Sequence, residues 1–336
     1  KRQYGCPHAF SVQSSKNATD RVYHIQKVLA DSGLSKGALL ALQSPTPLVL
    51  KNVKRQNISM ETFDELQRRF KKAGIDTFTD LILGLPGETY ETFADGVSNI
   101  IENGQHNKIQ FINLSILSNA EMGNLEYQAR HGMVTVESRI INIHGARGAV
   151  EDEVLETQQL VIATDTMPKK DWVRTRVFSW MMSLLYFDKL LQIPFVLLHE
   201  TAGISYRGLV EVFADGASDR YPIVKRIHSF FTKTAKDIQR GGPEYCHSGE
   251  WLDVWWPADE YVLIDLARRD ELDAFYAEAK ALLAPAAASR LKGCHPSLLD
   301  ESIELNKSLL KLPFQETDKD IRLSLNIWDV CQSVLA

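Results

Sequence analysis

The sequence predicts an α/β fold over residues 1–125 and a mostly α-helical part over residues 126–336. Two observations lead to this prediction. In the first part, strand-like runs alternate with amphipathic helix patterns at a repeat of roughly 30 residues, the length that a strand and a crossover helix require. In the second part, helical periodicity dominates and is interrupted by proline and glycine. Since crossover connections of this kind build parallel sheet, we expect a domain boundary near residue 125.

Four strand-like runs and three helix patterns make up the first part. The strand-like runs are 8–15, 37–44, 77–83 and 108–117, and the helix patterns are 20–33, 57–74 and 90–104. Ser59 and Thr89 stand where helix N-caps are expected, and Gly74 and Gly104 stand where helices end. A complete eight-unit barrel needs about 250 residues, so four units predict a half-barrel or an open α/β sheet.

The second part contains the most apolar segment, 171–203, which reads as a long helix interrupted at Pro194. Helical periodicity returns in segments 270–289, 296–312 and 320–336. Three tryptophans cluster with acidic residues in 249–260. This cluster predicts a packing seam between domains, with a substrate-stacking wall as the alternative.

The charge pattern bears on partners and location. The net charge of −5 carries no Lys/Arg block, so we predict neither nucleic acid nor membrane as a partner. No apolar run reaches about 18 residues and no signal peptide opens the chain, which makes the cytoplasm the predicted location. Because the first residue is Lys1 rather than Met, we expect the chain to begin inside a longer gene product.

Four widely separated cysteines do not predict a disulfide framework in a chain of this length. They are Cys6, Cys246, Cys294 and Cys331. Three of them have a histidine one or two residues away, but the spacings match no zinc finger. We therefore predict reduced thiols and no metal site.

The stretch "DLILGLPGET", residues 80–89, joins a buried strand to a helix. Gly84 and Gly87 allow positive φ or close approach of a ligand, and Pro86 stiffens the turn between them. The following helix N-terminus offers free N–H groups. A ligand-binding loop is one interpretation, and an ordinary tight turn before a capped helix is the other.

Three polar residues favour a ligand at this end of the sheet. Gln43 ends one predicted strand, Asp80 lies within the next, and Arg55 lies in the connection between them. A carboxylate can accept two ribose hydroxyls, an arginine matches a ligand carboxylate, and an amide both donates and accepts. The set fits a nucleoside joined to an amino acid, whereas the alternative is a structural Asp80–Arg55 ion pair.

The run "LALQSPTPLVLKNVKRQNISMETFDELQRRFKKAGIDTFTDLILGLPGETYETF" resembles the second half of the radical S-adenosylmethionine (radical SAM) barrel. The resemblance covers roughly residues 5–125. It is nearest to the branch with oxygen-independent coproporphyrinogen oxidase and the cobalamin-binding enzymes. The resemblance implies a partial (β/α) TIM-like barrel.

The resemblance also implies a set of residues that contact S-adenosylmethionine (SAM). In that family the residues that match Gln43, Arg55 and Asp80 touch this cofactor, which puts Gln43 and Arg55 near the methionine and Asp80 near the ribose. The full predicted set is Gln43, Ser44, Arg55, Asp80, Ile82, Leu83, Gly84, Asn113 and Ser115, with Leu117 as a further candidate. No catalytic residue is predicted.

One departure from the family is large: the CxxxCxxC segment that holds its 4Fe-4S cluster is absent, and Cys6 stands alone. We therefore expect a chain that lacks its N-terminal part, cannot ligate the cluster by the family's route and is inactive alone. That missing part is the one predicted protein partner.

The implied parent enzyme uses SAM, a 4Fe-4S cluster and, in this branch, cobalamin. It would generate a 5′-deoxyadenosyl radical for hydrogen abstraction, with cobalamin-dependent methyl transfer as an extension. The alternatives are a non-catalytic α/β scaffold or nucleotide-binding module, and a reductase or isomerase of the same family. The sequence indicates no substrate.

Overall fold

A computed structural model describes residues 3–10, 12, 20–145, 155–288, 295–311 and 319–335. Its first sheet has three parallel strands in sequential order: β1 (Ala38–Leu39), β2 (Thr77–Leu83) and β3 (Lys108–Asn113). The buried and half-exposed residues of β2 alternate strictly, because one face packs on helices. The crossovers are helical, as the 30-residue repeat predicted.

The helices of the first part are α1 (Asp20–Asp31), α2 (Pro47–Asn52), α3 (Met60–Lys72), α4 (Tyr90–Glu102) and α5 (Leu125–Arg130). The predicted caps are confirmed. Ser59 Oγ accepts from the Thr62 N–H before α3, and Thr89 forms a reciprocal capping box with Thr92 before α4.

A second sheet continues from the first. After β3 the chain passes Leu114 into β4 (Ser115–Ile116), which pairs antiparallel with β6 (Thr157–Ala163), and β6 pairs with β5 (Val134–Arg139). The Leu114 N–H donates to Leu83 O at 3.0 Å, and the Val161 N–H donates to Leu114 O at 2.8 Å. These two bonds join the sheets at Leu114, so the region after residue 125 contributes strands as well as helices.

The remaining elements follow β6. They are α6 (Lys169–Met182), a π-helical turn (Ser183–Phe187), α7 (Gln192–Ala202), α8 (Tyr206–Asp215), α9 (Pro222–Ile238), the hairpin β7 (Cys246–Ser248) and β8 (Val254–Trp256), α10 (Ala258–Arg268), α11 (Leu272–Ala288), α12 (Leu298–Leu309) and α13 (Ile327–Leu335). Helix α6 packs against α4, α8, α9 and β6. One hydrophobic core runs through both halves of the chain.

The apolar segment predicted as a helix broken at Pro194 is broken earlier. The chain leaves the helical path after Phe187, and α7 begins at Gln192 with Pro194 in its first turn, where a missing N–H costs no helical bond. Among the described residues, no single helix has the length and apolar character to cross a membrane. The bent pair Lys169–Phe187 and Gln192–Ala202, at 94°, meets those criteria together by length and composition only.

The α/β character is confirmed, and the described part of the chain forms an open parallel sheet. The first predicted strand, 8–15, is not a strand at residues 8–10 and 12, and its other residues lie outside the described ranges, as does Cys294. The TIM-like half-barrel and the domain boundary near residue 125 stay predictions.

Candidate cofactor-binding site

The glycine-rich turn after β2 requires both of its glycines. Gly84 and Gly87 have φ of 90° and 93°. A Cβ on Gly87 would lie 2.6 Å from Asn52 Nδ2, and this amide donates to Pro86 O at 3.1 Å. Helix α2 and the turn are therefore locked together where only glycine fits.

We expect Gly87→Ala to lower the free energy of unfolding by about 2 kcal/mol, because the energetic cost of the positive φ adds to that of the clash with Asn52. Gly74→Ala is the matched control, since Gly74 has φ of 62° but its Cβ would meet nothing within 4 Å. The control should lose about 1 kcal/mol. Urea denaturation measures both, and equal losses would contradict the steric part of the argument.

A buried carboxylate ties this turn to the end of β1. Glu88 is fully buried and accepts hydrogen bonds from Ser44 Oγ at 2.7 Å, Thr46 Oγ1 at 2.9 Å and Thr92 Oγ1 at 2.7 Å. Hydroxyl donors to a carboxylate make strong hydrogen bonds. The segment 44–46 and the start of α4 are thus held together.

Gln43 occupies a strained position that this network stabilises. Its φ is 64°, in the left-handed region that glutamine seldom adopts. Its N–H donates to Asp80 O at 2.9 Å, and its carbonyl accepts the Ile82 N–H at 2.8 Å. Asn57 Nδ2 donates to Leu42 O and Ser44 O on either side of it. Strain that neighbours hold in place is a common feature of functional sites.

Gln43 lines a cavity of about 260 Å³ at the carboxyl end of the parallel strands. Three other predicted residues, Arg55, Ile82 and Ser115, line the same cavity, and so does the further candidate Leu117. The structure therefore gathers side chains from the end of β1, the segment after α2, β2 and β4 around one space.

The other predicted residues lie outside the lining. Asp80 is on the same face of β2 as Ile82, two residues earlier. Ser44 is buried and bonded to Glu88, Leu83 is fully buried in the core, and a Cβ on Gly84 would lie 3.5 Å from Trp172 Nε1. Asn113 is buried, and its amide donates to Glu244. A cofactor role stays a prediction for these five residues as it does for the four that line the cavity.

Several lining residues were missed by the sequence analysis. They include Asn52, Leu85, Leu114, Glu121 and Tyr127. Tyr127 is buried and its hydroxyl donates to Asn52 O at 3.0 Å. Burial raises the pKa of Tyr127, which keeps the phenol a donor. The cavity thus combines a guanidinium, two amides and the carboxylate of Glu121 with apolar side chains.

The described residues do not fit an iron–sulfur cluster. Over those ranges, no group of three or more His, Cys, Asp or Glu side chains is arranged to hold a metal ion. Cys6 is exposed, whereas burial raises the pKa of Cys246 to about 12 and that of Cys331 to about 11. Both shifts oppose the thiolate form that ligation needs.

Comparison with known proteins shows that the chain is similar in sequence to radical SAM enzymes. More narrowly, it is similar to one cobalamin-dependent radical SAM methyltransferase and to one further methyltransferase. It is 32% identical over 213 residues to the cobalamin-dependent radical SAM methyltransferase TokK of Streptomyces tokunonensis, which covers 63% of this chain and 31% of that protein. It is 36% identical over 169 residues to the 2-(S-pantetheinyl)-carbapenam-3-carboxylate methyltransferase of Streptantibioticus cattleyicolor, covering 50% and 24%.

The chain thus spans a third or less of the length of these two relatives. No family model matches it. Among solved structures, the radical SAM methyltransferase TsrM of Kitasatospora setae aligns with a TM-score of 0.34 at 16% identity, over 49% of this chain and 35% of that one. A likeness at that level carries no argument about the fold.

Proposed function

We propose that this chain forms the SAM-binding part of a cobalamin-dependent radical SAM methyltransferase. The observation that carries the proposal is the cavity at the carboxyl ends of the parallel strands, where Gln43 and Arg55 line one space with Ile82 and Ser115. Ligands of parallel α/β sheets bind at this edge. Sequence similarity to methyltransferases of this class supports the same function.

The residues suit the parts of SAM. Arg55 would bind the cofactor's carboxylate, since a guanidinium pairs with it at two points. Gln43 can donate and accept at the amino-acid end, and Ile82 offers an apolar surface to the adenine. Asp80, on the same face of β2, would accept the ribose hydroxyls.

When bound, SAM supplies a methyl group and, on reductive cleavage, a 5′-deoxyadenosyl radical. This chain's own residues bind the cofactor, orient it and exclude water from it. The cluster's ligands are not found in the described ranges, so no step through the cluster is assigned to this chain. Cobalamin enters the proposal only through the similarity to TokK.

Calorimetric titration with SAM tests the proposal. We expect Arg55→Ala and Asp80→Ala each to weaken binding about tenfold or more, because each removes a charge-assisted hydrogen bond. Lys51→Ala is the matched control, since Lys51 is an exposed cation that does not line the cavity. Equal affinity in all four proteins would refute the site. No SAM binding by the unaltered chain would favour the non-catalytic scaffold.

A further inference from the structure

A second cavity, of about 400 Å³, lies along the edge of β3 that does not pair with β2. Ser115 lines both this cavity and the candidate SAM cavity, so the two spaces adjoin. The π-helical turn contributes Ser183 to the lining. Such turns are rare and are frequent at functional sites. The position suits a second molecule that reacts beside SAM.

Two buried side chains that line this cavity each retain an unpartnered polar atom. Asn113 is 4% exposed, and its Oδ1 has no hydrogen-bond partner among the described residues. Its Nδ2 donates to Glu244 Oε1 at 2.7 Å, which fixes the orientation of the amide. Arg176 is 6% exposed and donates from Nη1 to Phe111 O at 3.0 Å, while its Nε has no partner within the described ranges.

A buried donor or acceptor that has no hydrogen-bond partner destabilises the fold by about 1–3 kcal/mol. The two side chains form one polar cluster with Glu244, whose carboxylate accepts a hydrogen bond from Asn113 Nδ2 and attracts the charge of Arg176. Its other oxygen accepts from Gln158 Nε2 at 2.6 Å. A ligand that both accepts and donates at this place would satisfy the cluster.

The charges around the cavity are already balanced. Glu244 offsets Arg176, and Glu260 lies 3.7 Å from Lys108. Burial raises the pKa of Asp259 and of Glu244 and lowers that of Arg176, so this space disfavours charge of either sign. An added ion of either sign would have no counter-charge in a low-dielectric space. A neutral ligand group is therefore preferred.

We propose that this cavity binds a neutral amide group of the methyl acceptor, with its carbonyl accepting from Arg176 and its N–H donating to Asn113. Trp180 and Ile112, which also line the cavity, would contact the adjoining hydrocarbon. This substrate class rests on the proposed function, because the adjoining cavity must hold SAM. Arg176 and Asn113 act here as binding residues.

Saturation-transfer NMR on the unaltered chain tests the amide chemistry without SAM. The probes are N-propylbutanamide, its ester analogue propyl butanoate, hexanoate and hexylammonium. We expect the amide to bind about tenfold more tightly than the ester, since only the amide offers an N–H to Asn113. We expect both ions to bind more weakly than the amide. Equal binding of amide and ester, or preference for either ion, would overturn the proposal.

A charge-balanced double variant, Arg176→Met with Glu244→Gln, removes the donor without leaving a buried charge. It should bind both the amide and the ester about tenfold more weakly than the unaltered chain does, because both carbonyls lose their donor. Lys236→Met, which removes a cation from a different cavity, should leave the affinity for both probes unchanged. Unchanged affinity for both probes in the double variant would overturn the proposal. If the double variant does not fold by circular dichroism, the amide and ester comparison decides.

The SAM titration keeps the two proposals distinguishable. The double variant should bind SAM as the unaltered chain does, and Arg55→Ala should still prefer the amide. Loss of SAM binding in every protein with the amide preference intact would refute the proposed function alone. Intact SAM binding without any amide preference would refute the amide site alone.

Discussion

Glu88→Ala should lower the free energy of unfolding by about 3 kcal/mol. The substitution removes a fully buried carboxylate and leaves the hydroxyls of Ser44, Thr46 and Thr92 without their acceptor. Each lost charge-assisted bond is worth roughly 1.5 kcal/mol or more, and partial relaxation recovers some of the sum. Urea denaturation followed by circular dichroism measures the loss.

Glu91→Ala is the matched control. Glu91 lies in the first turn of the same helix, but it is 60% exposed and its ion pair with Arg174 is a surface pair. The control should change stability by less than about 0.5 kcal/mol. SAM affinity should also fall in the Glu88 variant, because Gln43 directly precedes the bonded segment 44–46. A loss no larger than that of the control would show that the network contributes little.

The glycine-rich turn shows what local sequence can predict. Positive φ at Gly84 and Gly87 and the Thr89 cap follow from residue types a few positions apart. The role of Glu88 did not follow, because its donor Ser44 lies 44 residues away in the chain. Local pattern therefore predicted the turn and missed the contact that positions it against β1.

The second cavity likewise depends on contacts that local sequence pattern could not predict. Arg176 lies two residues after Arg174 in a segment that the sequence presents as a mostly apolar helix. Its charge partner Glu244 and its acceptor Phe111 are 68 and 65 residues away, so periodicity could not show that it points inward. An arginine that directly precedes a mostly apolar run is the signal that could have been used, since a charge buried there requires partners.

Strand β6 was missed for a related reason. The segment 157–163 ends in a short apolar run, 160–163, that length and composition alone do not separate from helix. Its strand state depends on pairing with β4 on one side and β5 on the other. Gln43 and Arg55 were predicted from their residue types and their places around one strand end, and the family resemblance added the long-range information that local pattern lacks.

Acidification from pH 7 to pH 4 should cost about 3 kcal/mol of stability through His106 alone. Burial, the largest cause, lowers the pKa of His106 from 6.5 to about 4. Its Nδ1 lies 2.7 Å from the Tyr186 hydroxyl, and burial raises the pKa of Tyr186 well above its usual value. The hydroxyl therefore stays protonated, and it faces an imidazole that is neutral in the folded state at pH 7.

The sign follows from proton uptake in the two states. Between pH 6.5 and pH 4 the unfolded chain binds a proton at this histidine and the folded chain does not, so stability rises with pH across that window. The shift of about 2.5 pH units corresponds to about 3 kcal/mol, and below pH 4 the curve for this group is flat. His106→Gln keeps a polar side chain in place but cannot titrate.

The measurement is the free energy of unfolding of both proteins at intervals from pH 7 to pH 4. Burial raises the pKa of Asp188 and of Asp259, and their contributions run in the opposite direction. They cancel in the difference between the two proteins, because both proteins contain them. That difference should shrink by about 3 kcal/mol as the pH falls. Parallel stability curves would mean that His106 is protonated in the folded state over this pH range.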